Sequence, residues 1–204
     1  MTKIKICGIT NYWDAKNAVD LGADFLGFNF HQKSPRYVDY KKAANIAKKL
    51  SGKAKLVGVF VNESVDNIKK IYELCDLDLI QLSGNETSDF VVDLKEKTNK
   101  KIMKCFHISN SSYTYNIKNF KFDYLMLDSF KKGFYGGTGK SFDLDIINGI
   151  DNKKLFLAGG LNASNVKQAI KKINPFAVDV CSGVESHAGK KDYTNLKKLI
   201  EAVK

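Results

Sequence analysis

Short apolar runs alternate with amphipathic stretches along the whole chain, and this alternation limits the possible folds more than any other feature. Candidate strands cover residues 3–7, 24–30, 55–61, 77–82, 101–107, 122–127, 154–158 and 176–181. Successive strands begin 21 to 32 residues apart, which leaves room for one helix and two loops in each interval. The spacing therefore predicts repeated βαβ units that form a parallel sheet.

Some of the intervening helices can be predicted from their ends and their apolar periodicity. Residues 11–21 begin at a polar residue and end before Gly22, which is a good stop residue. A second helix is predicted to open at Glu63 and Ser64. Two more are predicted at residues 163–173 and 192–203, where apolar side chains recur at helical spacing.

Eight strand–helix units fit two parallel architectures, a closed (β/α)₈ barrel and an open doubly wound sheet. An open dinucleotide-binding fold would carry G-x-G-x-x-G after its first strand, and no such motif follows residue 7. Eight units at regular spacing favour closure. We therefore predict an α/β protein in which residues 1–204 form a single domain, a small (β/α)₈ TIM barrel.

The net charge of +11 raises the question of a polyanionic partner. Of the 33 basic residues only Arg36 is an arginine, and the lysine pairs are spread over the whole chain rather than clustered. This pattern indicates a solvated outer face, and we predict neither a nucleic-acid nor a membrane partner. The absence of a signal-peptide pattern and four widely spaced cysteines favour a cytoplasmic protein with reduced thiols.

In such a barrel the active site lies at the C-terminal ends of the strands. Cys7 ends the first candidate strand and Asp128 follows the sixth, so the two could act as base and acid across the mouth. Cys7 could equally be a small buried hydrophobic residue, as most free cysteines are. The three histidines, at positions 31, 107 and 187, also follow strands, but their spacing is not that of a zinc site.

Three glycine-containing loops could bind a phosphorylated ligand. Gly159 and Gly160 follow the seventh strand, and Ser182 and Gly183 follow the eighth, where barrels commonly hold phosphate. The third loop contains Gly136 and Gly137 and follows the sixth strand. Each pair alone is also explained by turn formation.

Arg36 follows Pro35 in a long loop after the second strand. An arginine here, in a chain that otherwise uses lysine, suggests bidentate binding of a carboxylate, the alternative being an ordinary surface arginine.

The chain resembles the phosphoribosylanthranilate isomerase family of tryptophan biosynthesis. The resemblance is carried by stretches in order from the first strand to the last helix: KICGIT at 5–10, GADFLGF at 22–28, KSPRY at 33–37, VGVFVN at 57–62, QL at 81–82, LD at 127–128, GGTGKSFD at 136–143, AGGLN at 158–162, AVDVCSGVE at 177–185 and GKKD at 189–192. One departure is Ser83, where many members of the family have a histidine.

The resemblance implies a cofactor-free Amadori rearrangement of N-(5-phosphoribosyl)anthranilate to 1-(2-carboxyphenylamino)-1-deoxyribulose 5-phosphate. It implies that Asp128 is the general acid that opens the furanose and that Cys7 is the general base that removes the C2 proton. It further implies that Arg36 faces the anthranilate carboxylate and that Asp179 helps to orient the substrate. The phosphate site implied by the resemblance comprises the loops with Gly136, Gly137, Gly159, Gly160, Ser182 and Gly183.

Three other functions remain possible from the sequence. The nearest is another aminoaldose-phosphate isomerase on the same barrel, from the histidine pathway or with two substrates, although Cys7 stands where we would then expect an aspartate. The others are a non-catalytic polyanion-binding protein and a zinc hydrolase. The sequence allows either a monomer or a homodimer.

Overall fold

The computed structural model describes residues 1–50, 52–107, 117, 120–128 and 151–204. Eight parallel strands form a closed barrel in sequence order, and the last strand pairs with the first. The strands are β1 (Lys3–Cys7), β2 (Phe25–Asn29), β3 (Lys55–Phe60), β4 (Leu79–Leu82), β5 (Lys101–His107), β6 (Tyr124–Asp128), β7 (Leu155–Ala158) and β8 (Ala177–Val180). The predicted (β/α)₈ barrel is confirmed.

In the described part of the chain, an α-helix follows each of β1, β2, β3, β4, β7 and β8. The described part of the chain contains α1 (Tyr12–Leu21), α2 (Tyr40–Leu50), α3 (Val65–Cys75), α4 (Ser88–Thr98), α5 (Val166–Ile173) and α6 (Tyr193–Val203). Short 3₁₀ helices occupy Asn152–Lys154 and Ser182–Val184, and β9 (Glu185–His187) pairs antiparallel with β10 (Lys190–Lys191) after the barrel. Within the described ranges, no helix is long and apolar enough to cross a membrane.

Local hydrogen bonds explain why these helices begin and end where they do. The side chain of Asn11 accepts a hydrogen bond from the N–H of Asp14 at 3.0 Å, and Gly22 ends α1 with a left-handed φ of 107°. Ser64 and Asp192 cap α3 and α6 in the same way as Asn11 caps α1. These three helices match the sequence predictions to within a residue or two.

Several elements start later than predicted because the polar side chain just before each of them accepts a hydrogen bond from a backbone N–H. Residues 24, 78 and 123 are aspartates that precede β2, β4 and β6, and each carboxylate accepts a hydrogen bond from an N–H of the preceding strand. The bonds are Ile4 to Asp24 at 2.9 Å, Leu56 to Asp78 at 2.8 Å and Ile102 to Asp123 at 2.9 Å. Likewise Asn162 accepts from the N–H of Ser164 at 2.9 Å, so α5 begins at Val166 rather than at 163.

Two apolar cores hold the barrel together. The larger lies between the strands and the surrounding helices, and the smaller fills the barrel interior with side chains such as Val57, Met103, Met126 and Phe156. Rings of Phe25, Tyr124, Phe156 and Phe176 pack on one another with centroids 5.3 to 6.2 Å apart and close the N-terminal end. The buried polar side chains of Lys5, Gln81 and Asp179 lie beyond this layer, toward the C-terminal ends of the strands.

Candidate active site

Cys7 is the last residue of β1, at the C-terminal mouth of the barrel. Side chains alternate along a strand, so Lys5 lies on the same inward face, one layer deeper. Gly27 on β2 is the register partner of Cys7, and a Cβ at Gly27 would lie 2.8 Å from Cys7 Sγ and 3.2 Å from Lys5 Nζ. The missing side chain of Gly27 thus leaves room for the thiol above the lysine.

Lys5 and Asp179 form a buried ion pair beneath Cys7. Lys5 Nζ lies 2.7 Å from Asp179 Oδ1, and the two side chains are 0% and 9% exposed. Burial would lower the pKa of Lys5, but the charges and hydrogen bonds of Asp179 and Cys7 raise it above its ordinary value. Burial raises the pKa of Asp179 to about 7, although the charge of Lys5 acts in the opposite direction. Lys5 therefore stays charged directly below the thiol.

Cys7 and Cys181 lie side by side at the ends of the paired strands β1 and β8. A hydrogen bond from the Cys181 thiol, helped by the charges of Lys5 and Lys191, lowers the pKa of Cys7 well below that of an ordinary thiol, although burial acts to raise it. The same contact, together with burial, raises the pKa of Cys181. The electrostatics of this pair favour a thiolate at Cys7 and a neutral thiol at Cys181, whose Sγ also lies 3.9 Å from Glu185 Oε1.

Arg36 reaches the mouth from the loop after β2 and is held there by Glu185. Its Nε lies 3.0 and 3.1 Å from the two carboxylate oxygens of Glu185, and its Nη2 lies 2.7 Å from Oε2. Lys191 Nζ contacts the same carboxylate at 2.9 Å. Burial would raise the pKa of Glu185, but the hydrogen bonds from Arg36 and Lys191 lower it, so Glu185 remains a charged clamp.

Gly8 allows Arg36 to approach the end of β1. Gly8 has a φ of 74°, and a Cβ at this position would lie 2.8 Å from Arg36 Cδ and 3.0 Å from Cys181 Sγ. Any larger residue would meet both side chains and would also be strained in this backbone conformation. Gly8 thereby brings the guanidinium next to the pair of thiols.

Asp128 ends β6 and has His107, the last residue of β5, as its register partner. His107 Nδ1 lies 3.6 Å from Asp128 Oδ2, and His107 Nε2 lies 3.3 Å from the carbonyl oxygen of Ser83. The interaction with Asp128 raises the pKa of His107, while burial acts to lower it. The side chains of His107 and Asp128 are 53% and 29% exposed, so both are accessible from the mouth.

The loops after β7 and β8 are in contact with each other at Leu161 and Gly183. Gly159 and Gly160 have positive φ angles of 101° and 63°, and the space that a Cβ at Gly160 would occupy is open. A Cβ at Gly183 would lie 1.9 Å from the carbonyl oxygen of Leu161, so the two loops touch only because this residue is a glycine. The arrangement leaves backbone near an open space, which suits an anion that binds to N–H groups.

The metal hypothesis gains no support from the side chains that are close together. The three histidines do not form a cluster within the described ranges, where the grouped candidates are Cys105, His107 and Asp128. Burial raises the pKa of Cys105, and its side chain lies among the apolar residues of the barrel interior. We assign no metal site to these residues.

The structure brings most of the predicted site residues to one end of the barrel. Cys7, Arg36, Asp128, Gly159, Gly160, Ser182 and Gly183 lie at the mouth, and Asp179 lies one layer below it. Gly136 and Gly137 fall outside the described residues. Cys7 lies close to Lys5 and Cys181, and these neighbours lower its pKa.

Sequence reasoning missed several residues around Cys7. Lys5 and Cys181 could have been found, because each lies two residues from a candidate on its strand and therefore shares its face. Glu185 and Lys191 carried no such signal. The contact of Glu185 with Arg36 joins residues 149 positions apart in the chain, and Lys191 contacts the same carboxylate.

Comparison with known proteins gives a consistent result over the full length. Residues 4–202 match the family model described as N-(5'-phosphoribosyl)anthranilate (PRA) isomerase. A relative from Trichlorobacter lovleyi, named N-(5'-phosphoribosyl)anthranilate isomerase, is 40% identical over 206 residues, covering 100% of this chain and 98% of its own.

Two solved structures extend this similarity to three dimensions. The phosphoribosyl anthranilate isomerase of Thermotoga maritima superposes with a TM-score of 0.85 at 39% identity, covering 99% of this chain and 98% of its own. A phosphoribosyl anthranilate isomerase in complex with reduced 1-(o-carboxyphenylamino)-1-deoxyribulose 5-phosphate superposes with a TM-score of 0.83 at 36% identity and the same coverage.

Proposed function

The chain belongs to the N-(5'-phosphoribosyl)anthranilate isomerase family, and from this premise we propose how its own residues carry out the Amadori rearrangement. The protein is an isomerase of tryptophan biosynthesis. The substrate is N-(5-phosphoribosyl)anthranilate and the product is 1-(2-carboxyphenylamino)-1-deoxyribulose 5-phosphate. The observation that carries the assignment of roles is the thiolate environment of Cys7, at the same mouth as Asp128.

Asp128 acts first, as the general acid. It donates a proton to the furanose ring oxygen while the bond from this oxygen to C1 breaks and the nitrogen lone pair forms a protonated Schiff base. Proton transfer by a positioned group typically contributes about 10²- to 10⁴-fold to the rate. The position of Asp128 at the end of β6, partly exposed to the mouth, supports this role.

Cys7 acts second, as the general base. Its thiolate removes the proton from C2, which gives an enolamine, and tautomerisation of the enolamine gives the ketone. The hydrogen bond from Cys181 and the buried charge of Lys5 hold Cys7 in the thiolate form that this step needs. Asp179 contributes through Lys5, because its carboxylate fixes the ammonium group beneath the thiol.

The carboxylate and the phosphate of the substrate bind at two different sides of the barrel mouth. Arg36 binds the anthranilate carboxylate, since its guanidinium is already held at the mouth by Glu185. The loops with Gly159, Gly160, Ser182 and Gly183 bind the phosphate, together with the loop that contains Gly136 and Gly137. This arrangement keeps C1 and C2 between acid and base.

The remaining proposals concern the whole chain. We propose that residues 1–204 form a single domain, because β1 near one end of the chain closes the barrel against β8 near the other and α6 packs on α1. The chemistry is complete with protonatable side chains and needs no cofactor. A cytoplasmic location and a monomeric or homodimeric state stay predictions from the sequence.

The test is a fluorescence assay in which phosphoribosylanthranilate is generated in situ and the loss of its fluorescence is followed with EDTA present. We expect rapid, EDTA-insensitive turnover. Cys7→Ala and Asp128→Asn should each lower kcat by about 10²-fold or more, because each removes one proton transfer. Arg36→Met should mainly raise KM, because it removes a contact present in both the bound substrate and the transition state.

The opposite outcome of each measurement would change the function or the residue role that we propose. Near-normal turnover by Cys7→Ala would exclude it as the base, and near-normal turnover by Asp128→Asn would exclude it as the acid. A folded wild-type protein without turnover would direct the assay to the aminoaldose of histidine biosynthesis. Sensitivity to EDTA would reopen the zinc hypothesis.

A further inference from the structure

His107 has both ring nitrogens against oxygen atoms, and this arrangement defines its protonation. Nε2 lies 3.3 Å from the carbonyl oxygen of Ser83, which can only accept a hydrogen bond, so Nε2 carries a proton. Nδ1 lies 3.6 Å from Asp128 Oδ2. If neither of these two atoms carried a proton, two lone pairs would face each other. A proton on either atom removes this repulsion, so the geometry favours one proton held by the imidazole and the carboxylate together.

We propose that His107 is a positioning residue that shares the acid proton with Asp128, so that the two side chains together serve as the proton source for ring opening. The proposal rests on the role of Asp128 given above. A distance of 3.6 Å is longer than a good hydrogen bond, and catalytic contacts are often longer before the substrate binds. A small rotation of the partly exposed His107 ring would shorten it.

The surroundings of His107 retain this proton. The residues whose charges face the ring among the described ones are Asp128 on β6 and Lys104 on β5. Lys104 is itself held by Glu86, with Nζ 2.6 Å from Oε2 and both side chains buried, so its repulsion of an imidazolium is offset. Cys105, the remaining titratable neighbour on β5, stays a neutral thiol. The carboxylate of Asp128 is the near charge, and it favours imidazolium.

The proton balance closes without a further reactant. The proton shared with Nδ1 moves onto the Asp128 carboxylate and from there to the ring oxygen, which leaves a neutral imidazole and a charged carboxylate. The C1–O bond breaks and its electrons go to the ring oxygen, while the nitrogen lone pair forms the C=N bond. The pair regains a proton when the 2-hydroxyl of the enolamine is deprotonated in the last step, because the overall reaction is an isomerisation.

The proposal makes a prediction about the alkaline side of the pH profile. Above the pKa of the shared proton, His107 and Asp128 have lost this proton and cannot protonate the ring oxygen, so kcat should fall as the pH rises. His107→Gln leaves a carboxyl group alone to hold the proton, and carboxyl groups lose their protons at lower pH than imidazolium. We expect kcat of His107→Gln to be about tenfold lower at neutral pH, with the alkaline limb moved down by about one pH unit or more and KM nearly unchanged.

The experiment compares kcat and KM of the wild type, His107→Gln, Asp128→Asn and His187→Gln from about pH 5 to about pH 9. His187 is an exposed histidine on β9 and serves as the matched control, which should keep the wild-type profile. If Asp128→Asn is inactive but His107→Gln keeps the wild-type pH profile, the proposed role of His107 is wrong, while Asp128 remains assigned as the general acid. If Asp128→Asn is fully active, the acid assignment itself fails, and the role of His107 with it.

A second readout needs no catalysis. NMR titration of the ring signals in the wild-type protein should give His107 a midpoint above the ordinary value for histidine. In Asp128→Asn the midpoint of His107 should fall, because the carboxylate that favours imidazolium has been removed. A midpoint for His107 at or below that ordinary value in the wild type would overturn the shared proton.

Discussion

At the scale of single residues, the chemistry of the mouth depends on a few neighbouring groups that change the protonation of Cys7. Its thiol lies above a buried lysine and beside a second thiol that donates to it. By contrast, burial raises the pKa of Cys75 to about 11, and the backbone hydrogen bond from Ala44 offsets only part of this increase. Four cysteines in one chain therefore differ in reactivity because of what surrounds each of them.

Replacing Cys181 should weaken the thiolate at Cys7. Cys181→Ala removes the hydrogen-bond donor, so the pKa of Cys7 should rise and the thiolate should form only at higher pH. Cys181→Ser is the matched control, because its hydroxyl can still donate. The measurement is the rate of iodoacetamide alkylation at Cys7 against pH, followed by mass spectrometry.

We expect the midpoint for Cys7 to be well below that of an ordinary thiol in the wild type, to change little in Cys181→Ser and to move upward in Cys181→Ala. The acidic limb of kcat/KM should move in the same direction, because activity requires the thiolate. Cys75 and Cys105 are internal references that should remain unmodified at neutral pH. The same midpoint in the wild type and in Cys181→Ala would contradict the proposed hydrogen bond.

The residues around Cys7 also show which contacts a sequence can predict. Strand alternation places Lys5 beside Cys7 and Asp179 beside Cys181, because residues two apart share a face. The contact between Arg36 and Glu185 joins two loops, and nothing local in either loop encodes the other. Site residues on strands are thus predictable from period and position, whereas their loop partners depend on the closure of the whole barrel.

At the scale of elements, the loop after β8 can touch the loop after β7 because residue 183 has no side chain. The Leu161 carbonyl occupies the place where a Cβ at Gly183 would be. The 3₁₀ turn at Ser182–Val184 is fixed against the β7 loop by this contact. The proposed phosphate site is thus a property of two elements held in register, rather than of either loop alone.

Gly183→Ala should therefore separate the two loops and weaken phosphate binding. Since a displacement of about 1 Å can cost about 10²-fold, we expect KM to rise at least about tenfold, with a smaller change in kcat. Inorganic phosphate should also become a weaker competitive inhibitor. Steady-state kinetics with and without phosphate measure both effects.

Gly52→Ala is the matched control for Gly183→Ala. Gly52 has a φ of 72°, a Cβ added to it would have no atom within 4 Å, and it precedes β3 at the opposite end of the barrel. The strain of a left-handed residue, about 1–2 kcal/mol, should lower the Tm of this variant by a few degrees without changing KM. Equal KM values for Gly183→Ala and the wild type would refute the role of the loop contact.

The elements themselves were predictable where their signals are local. The caps of α1, α3 and α6 lie next to the helices they start, so residue type and position were sufficient. The starts of β2, β4 and β6 were predicted too early, because Asp24, Asp78 and Asp123 bind the backbone of a neighbouring strand. The backbone N–H that such an aspartate binds can be identified only once the pairing of the strands is known.

At the scale of the whole molecule, the positive charge is a property of the surface. Among the described residues, the buried lysines are Lys5, Lys104 and Lys191, and each is paired with a carboxylate, so they contribute little to the net charge of +11. The excess must therefore come mainly from lysines in contact with solvent, which are spread over the chain. Such a distribution gives a broad positive potential around a mouth that receives a substrate with two anionic groups.

Salt should therefore weaken substrate capture without slowing the chemistry. Between about 0.1 M and about 1 M NaCl the screening length falls from about 10 Å to about 3 Å, so the surface lysines no longer attract the substrate from a distance. We expect KM to rise by up to about tenfold. The value of kcat should change little, because Lys5 and Asp179 beneath Cys7 are buried and are screened much less. Steady-state kinetics across this range, with sucrose at equal osmolality as the control, measure both constants. A KM that stays constant in salt would show that capture depends on the short-range contacts of Arg36 and the glycine loops alone. A decrease in kcat together with the increase in KM would place the salt-sensitive charges within the active site.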